Sequence, residues 1–231
     1  MSVQVQATGS PRELLASDAK QPENRLLEHP VWRAALSGEM PRATLKRLLL
    51  GCYPALAGGG RYAFAAKVSQ LSPADGRELF LQLYDTLKKP EADADEGWKK
   101  VLRALGASEL ECSQALASPS AEAEDLVEVI RGHGLRSSAV AASVIAFMLE
   151  RHLPELWGRL ADSLKKHYGV KTEALAYLRY EAARADKVHK WVKHLVDTYV
   201  VPAAPMAVFE GRRAGREAVW AWTVLTESVQ Q

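Results

Sequence analysis

The chain has 231 residues, 48% of them hydrophobic and 25% charged, with a net charge of +2. That is the profile of an ordinary globule, long enough for one large core or two small ones. Acids and bases are interspersed, so there is no basic stripe for nucleic acid and no acidic tail.

The two cysteines, Cys52 and Cys112, stand far apart and outside any C-x-x-C pair. This argues against a disulfide framework or a cysteine metal site and suits a reducing, cytoplasmic compartment. The opening MSVQVQATGSPRELL has no apolar secretory core. No apolar run reaches the ~20 residues of a membrane span. Neither nucleic acid nor membrane is expected as a partner.

Residues 1–10 read as a flexible tail and residues 11–231 as a single helical domain. No strand alternation and no two-residue hairpin signal occurs. Pro30 stops or kinks a helix after His29, Ser37-Gly38 ends the next short one, and Pro41 opens another whose Leu45, Leu48, Leu49 and Cys52 share a face. Tyr53-Pro54 and Gly58-Gly59-Gly60 predict a bend or break. Arg61–Gln70 is amphipathic, and Ser72-Pro73 restarts the chain into Arg77–Lys88. KKPEADADEG reads as a polar loop leading to a stripe of Trp98, Val101, Leu102 and Leu105. Short helices follow Ser108 and Ser120.

SSAVAASVIAFMLERH, after His133-Gly134, is apolar nearly all round and so should be central. Its one acid is Glu150, near the C-terminal end. Leu156–His167 and a long helix after Gly169 come next. Met206–Ser228 is the last, with Val208, Ala218, Val219, Trp222 and Leu225 inward. Helix after helix with short joints predicts an all-α bundle of about seven or more helices around one core.

Tyr177–Tyr199 contains no Gly or Pro, which predicts about six unbroken turns. Leu178, Ala182, Ala185, Val192 and Val196 then form one stripe. His189 falls among them, and Asp186 lies one turn earlier at its edge. The pair is either a core histidine satisfied by one carboxylate or part of a site. Tyr177, Arg179, Tyr180, Arg184 and Lys190 are either groups for an anionic ligand or a solvated helix face. His133 and His167, at helix ends, are expected to be exposed or capping. His29, before a proline, is a pocket residue or a helix-end cation. Nucleotide-binding loops, a nucleophile elbow, H-E-x-x-H and a zinc set are all absent.

LLEHPVWRAALSGEMPRATLKRLLLGCY resembles the opening of heme-oxygenase-like proteins of the thiaminase-II and pyrroloquinoline-quinone-synthase branch. FMLERHLPELW resembles the helix in which heme-oxygenase-like diiron oxidases place a glutamate ligand. AYLRYEAARADKVHKWV resembles their last ligand helix, and WKKVLRALG the end of their third-helix segment. Together the matches span about residues 22–200.

The resemblance implies a helical bundle, a homodimer, and Glu150, Asp186 and His189 as metal ligands. Ala182, and positions near Leu87 and Ala94, stand where the diiron oxidases carry further donors. Asp85, Asp93, Asp95 and Glu96 lie nearby and could substitute only if the loop shifts register. At most one iron is therefore expected, and no heme. His29, Tyr177 and Arg179 are the expected catalytic or substrate contacts.

The implied function is an oxygen-dependent oxidation of a small, amino-acid-derived metabolite in a biosynthetic pathway, with that metabolite and O2 as partners. The alternatives are a cofactor-independent oxidase or hydrolase of the same fold, and a small-molecule binder without catalysis. Hydrolysis of the thiaminase-II type would need a nucleophilic cysteine, for which Cys52 is the candidate.

Overall fold

Proline and small hydroxyl residues decide where the helices begin. The computed structural model describes residues 9–21, 25–59, 71–88, 93–147 and 153–228, without the side chains of 58–59 and 82–88. Helix α1 (Pro11–Lys20) starts from Ser10 in a capping box with Glu13. Helix α2 (Pro30–Ser37) starts at a proline and ends at Gly38, whose φ of 83° is the left-handed conformation a glycine tolerates. Helix α3 (Arg42–Pro54) runs up to its own proline and then widens into a π turn over Ala55–Gly59. The break expected at Tyr53-Pro54 thus takes the form of an extra residue in the turn.

Helices α4 (Pro73–Lys88), α5 (Ala94–Ala104), α6 (Glu109–Ala117), α7 (Ala121–Gly134) and α8 (Ser138–Ile145) follow. Asp93, Ser108, Ser120 and Ser137 cap the last four of these. Each side chain accepts a backbone N–H that the first turn would leave unpaired. Next come α9 (Leu153–Tyr168), α10 (Ala176–Ala183), α11 (Ala185–Leu195) and α12 (Pro205–Ser228), with a second π turn at Val196–Val200. No strand occurs among the described residues. Nor, among them, is any helix long and apolar enough to cross a membrane.

One hydrophobic cluster draws buried residues from every helix, from Leu15 of α1 to Leu225 of α12. The five residues read as the inward side of the last helix are all buried. The tightest seam joins α8 to α12. A Cβ at Gly211 would lie 2.4 Å from Ser143 Oγ, and one at Gly215 would lie 2.4 Å from Phe147 Cδ2. Glycine one turn apart therefore lets the two helices approach.

Tryptophans fill the centre. The ring of Trp157 stands edge-on to Trp32 at 6.4 Å, Trp98 at 5.2 Å and Trp222 at 6.4 Å, a geometry aromatic quadrupoles favour. Trp32 Nε1 donates to Thr226 Oγ1 at 3.1 Å.

Helix α2 is clamped to α9 by polar contacts at its carbonyl end. Ser163 Oγ donates to Ala35 O at 2.7 Å, and Tyr168 OH donates to Met40 O just beyond.

Candidate functional site

The long helix expected over Tyr177–Tyr199 is not continuous. It breaks at Arg184, whose φ and ψ are −83° and −5° and whose N–H turns to Glu181 O. No glycine or proline marks the place. Val188, Trp191, Val192 and Leu195 are buried at i, i+3, i+4 and i+7, on the face that the buried Tyr177 of α10 already occupies. These residues, which the expected stripe leaves out, turn the buried face away from Asp186 and His189. As a result Asp186 and His189 are exposed, not interior as the unbroken stripe predicts. Arg184 itself lies over the Tyr180 ring, 5.3 Å from its centre, and pairs with Glu181 at 3.3 Å.

The other expected site residues are engaged in different places. His29 caps α2: its Nδ1 accepts from Val31 N–H at 3.3 Å, while Nε2 lies 3.2 Å from Glu227 Oε1 on α12. The two contacts are compatible with a single tautomer, Nε2 carrying the hydrogen. Tyr177 is buried against α5. Its ring meets Trp98 at 6.1 Å, and its Cβ sits where a side chain on Gly97 would have to go, 2.3 Å from a Cβ there. Arg179 is exposed and donates to Asp162 Oδ1 at 2.6 Å. Glu150 lies outside the described residues, as do the Arg61–Gln70 segment and the side chain of Asp85.

The acids near α5 have structural partners. Asp93 caps the helix, accepting from Glu96 N–H at 3.1 Å. Asp95 accepts from Tyr53 OH and from Lys99 Nζ. Its carboxyl is held below the ordinary range because these hydrogen bonds and the Lys99 and Arg103 charges outweigh the opposing effect of burial. Glu96 lies 3.9 Å from both Lys99 and Arg103. Among the described residues no three His, Cys, Asp or Glu side chains gather as a metal site. The described donors do not by themselves make up an iron centre. Neither thiol is poised as a nucleophile: burial pushes Cys52 up to about 12 and raises Cys112 as well.

His189 instead borders a cavity of about 270 Å³. Its apolar side is made by Ala146 and Phe147, just past the end of α8, by Val196, and by Leu15 and Ala19 of α1. Arg12, Ala16, His189 and Lys193 also line it, and among the described residues no carboxylate does. Arg12 is paired with Asp197. An apolar floor with basic groups at the margin suits a ligand with a hydrocarbon body and an anionic end. Phe147 directly precedes the segment carrying Glu150. Sequence reasoning missed Lys193, although it stands one turn after His189 on the same helix. It also missed Arg12, because nothing in the sequence indicates that α1 packs beside the second π turn.

No family model matches the chain, and no curated protein sequence does. Solved structures do match over nearly the whole length. A TenA homologue from P. horikoshii is 15% identical, with 96% of this chain and 98% of that one covered and a TM-score of 0.67. A TenA homologue from Pseudomonas syringae pv. tomato is 14% identical, with coverages of 96% and 93% and a TM-score of 0.72.

Proposed function

We propose, from the TenA-type helical fold of this chain, that it binds a small organic anion at the α1–α11 cavity and oxidises it with O2. The observation that carries the binding step is the cavity lined by Arg12, His189 and Lys193 over Phe147 and Val196. Lys193 holds the anionic group as a point charge. His189 brings an imidazole to the cavity margin, the type of side chain used for general acid–base chemistry. The apolar wall excludes water from the hydrocarbon part. The oxidative class rests on the resemblance of the Glu150 and Asp186–His189 segments to oxygen-using relatives of the fold. The buried, protonated state of Cys52 and Cys112 weighs against thiolate-based hydrolysis.

Calorimetric titration with a panel of alkyl and aryl carboxylates tests this, followed by oxygen-electrode assay of every binder. Lys193→Ala is expected to weaken binding about tenfold, the magnitude of one charge-assisted hydrogen bond. Carboxylates that bind wild type and Lys193→Ala equally would remove the reading.

A metal-dependent variant of the same reaction has one observation in its favour. Asp186 and His189 are one turn apart on the same exposed helix edge, a spacing at which two side chains can share a ligand. Anaerobic loading with ferrous iron followed by elemental analysis is then expected to give no more than one iron per chain, lost in His189→Ala. Two tightly held irons would overturn it.

A further inference from the structure

On another side of the molecule a cavity of about 490 Å³ runs between α7 and α12, within the size range of small-molecule sites. Its electrostatics are opposite to those of the first. Glu122, Asp125 and Glu128 line it from α7, and Glu217 faces them from α12. Trp220, 67% exposed, forms part of the wall. Gly132 lies in the lining, and a Cβ built there meets no atom within 4 Å. A glycine inside a helix costs about 1 kcal/mol relative to alanine. Here no close helix approach accounts for it; what it does is leave the groove open.

A second observation is independent of the acids. His133 lines the groove and is 6% exposed. Its Nε2 lies 3.0 Å from Glu217 Oε2, and its Nδ1 is buried with no partner among the described residues. With Nε2–H donating to the carboxylate, Nδ1 is a bare acceptor. Burial lowers the His133 pKa, with Arg136 and Arg213 adding to the effect against the pull of Glu217, so the ring stays neutral and Nδ1 keeps its lone pair. The carboxylates accept as well, and the indole presents a negative π face. Apart from the Arg136 guanidinium, the charged groups of the lining are anionic. Glu128 is paired with Arg131 at 2.7 Å and Glu217 with Arg213 at 2.5 Å, so Glu122 and Asp125 are the carboxylates to which no arginine is bonded among the described residues.

We propose that this groove binds a small organic ammonium ion, its N–H groups directed at the carboxylates and the His133 acceptor and its hydrocarbon part laid on Trp220. A bare divalent cation does not fit, because the described carboxylates do not gather in threes. This site is separate from the anion cavity, which shares no lining residue with it.

The test is calorimetric titration of the full chain with phenethylammonium, and with 3-phenylpropionate as the isosteric anion. Phenethylammonium is expected to bind and phenylpropionate not to bind at this groove. Trp220→Ala should weaken phenethylammonium binding about twofold to tenfold, the loss of one aromatic stacking contact. Gly132→Leu, which fills the open floor at an exposed helix position, should abolish it. Lys193→Ala, at the other cavity, should leave it unchanged. Circular dichroism melting of each variant separates loss of the site from loss of the fold. The proposal is overturned if phenethylammonium gives no heat at millimolar concentration. It is overturned equally if folded Trp220→Ala and Gly132→Leu bind as wild type does, or if phenylpropionate binds Lys193→Ala as well as phenethylammonium does and loses that binding in Gly132→Leu.

Discussion

Two regions of the bundle bury similar polar and glycine residues to opposite ends. Where α4 meets α11 and the second π turn, Asp75 is 5% exposed and fully engaged. Its carboxylate accepts from Tyr199 OH at 2.6 Å, Ser72 Oγ at 2.7 Å and His194 Nε2 at 2.6 Å. Between α7 and α12, His133 is as deeply buried with one nitrogen unpaired. The glycines divide in the same way: at a third place, the α5–α10 contact, Gly97 is crowded by Tyr177, while Gly132, beside His133, faces open space. A saturated, crowded junction holds the fold together. An unsaturated, open one leaves room and hydrogen-bonding capacity for something else.

The sharpest way to break that contrast is Gly97→Ala. The new methyl would collide with the Cβ and ring of Tyr177, atoms fixed close to the α10 backbone, and overpacking of this kind costs about 3 kcal/mol. Chemical denaturation should show it as a lower midpoint with unchanged slope. Next in size is Asp75→Ala, which strands three donors and should cost about 2 kcal/mol.

The effect of Asp75 is also pH-dependent. Burial alone would raise its carboxyl, but the hydrogen bonds from Tyr199, Ser72 and His194 together hold it below the ordinary range. A depressed folded-state pKa means that its stabilisation is complete above the unfolded carboxyl value of about 3.9. It is lost as the pH falls through the folded value. The wild-type melting temperature should therefore drop on the acid side more steeply than that of Asp75→Ala.

His133 gives a milder effect in a different window. Its folded pKa is also depressed, chiefly by burial, so its contribution is full above the unfolded histidine value of about 6.5 and declines below it. In His133→Gln the melting temperature should be flatter from pH 7 down to pH 5. The smallest effect has the opposite sign. Gly132→Ala should raise stability by about 0.5–1 kcal/mol, because nothing occupies the space its methyl would enter.

Much of this architecture was legible in the sequence because local chemistry dictates it. Pro30, Gly38, Ser108 and Ser120 punctuate helices for reasons internal to a few residues. The inward face of α12 follows from spacing alone. The break at Arg184 was not legible: Ala183, Arg184 and Ala185 are good helix formers, and no local signal marks it. The exposure of Asp186 and His189 was missed because the stripe was drawn through Leu178, Ala182 and Ala185, whereas the buried face runs through Tyr177, Val188, Trp191 and Leu195. His133, expected to be exposed or capping at a helix end, does lie in the last turn of α7 but is buried, which was not legible because its partner Glu217 is more than eighty residues away in the chain. The candidate cavity was legible in part, through His189. The basic residues beside it depend on how α1 and α11 meet.

The tryptophan cluster makes the molecule its own optical instrument. Trp32, Trp98 and Trp222 each contact Trp157, so light absorbed by any one of them migrates among all four before it is emitted. That emission comes from a dry environment and lies toward the blue. Trp220 stands in solvent on the outer side of α12 and emits toward the red. The red side of the emission therefore follows the groove, while the blue-side signal and its depolarisation follow the core. Occupancy of one and integrity of the other can be read in a single cuvette without a label.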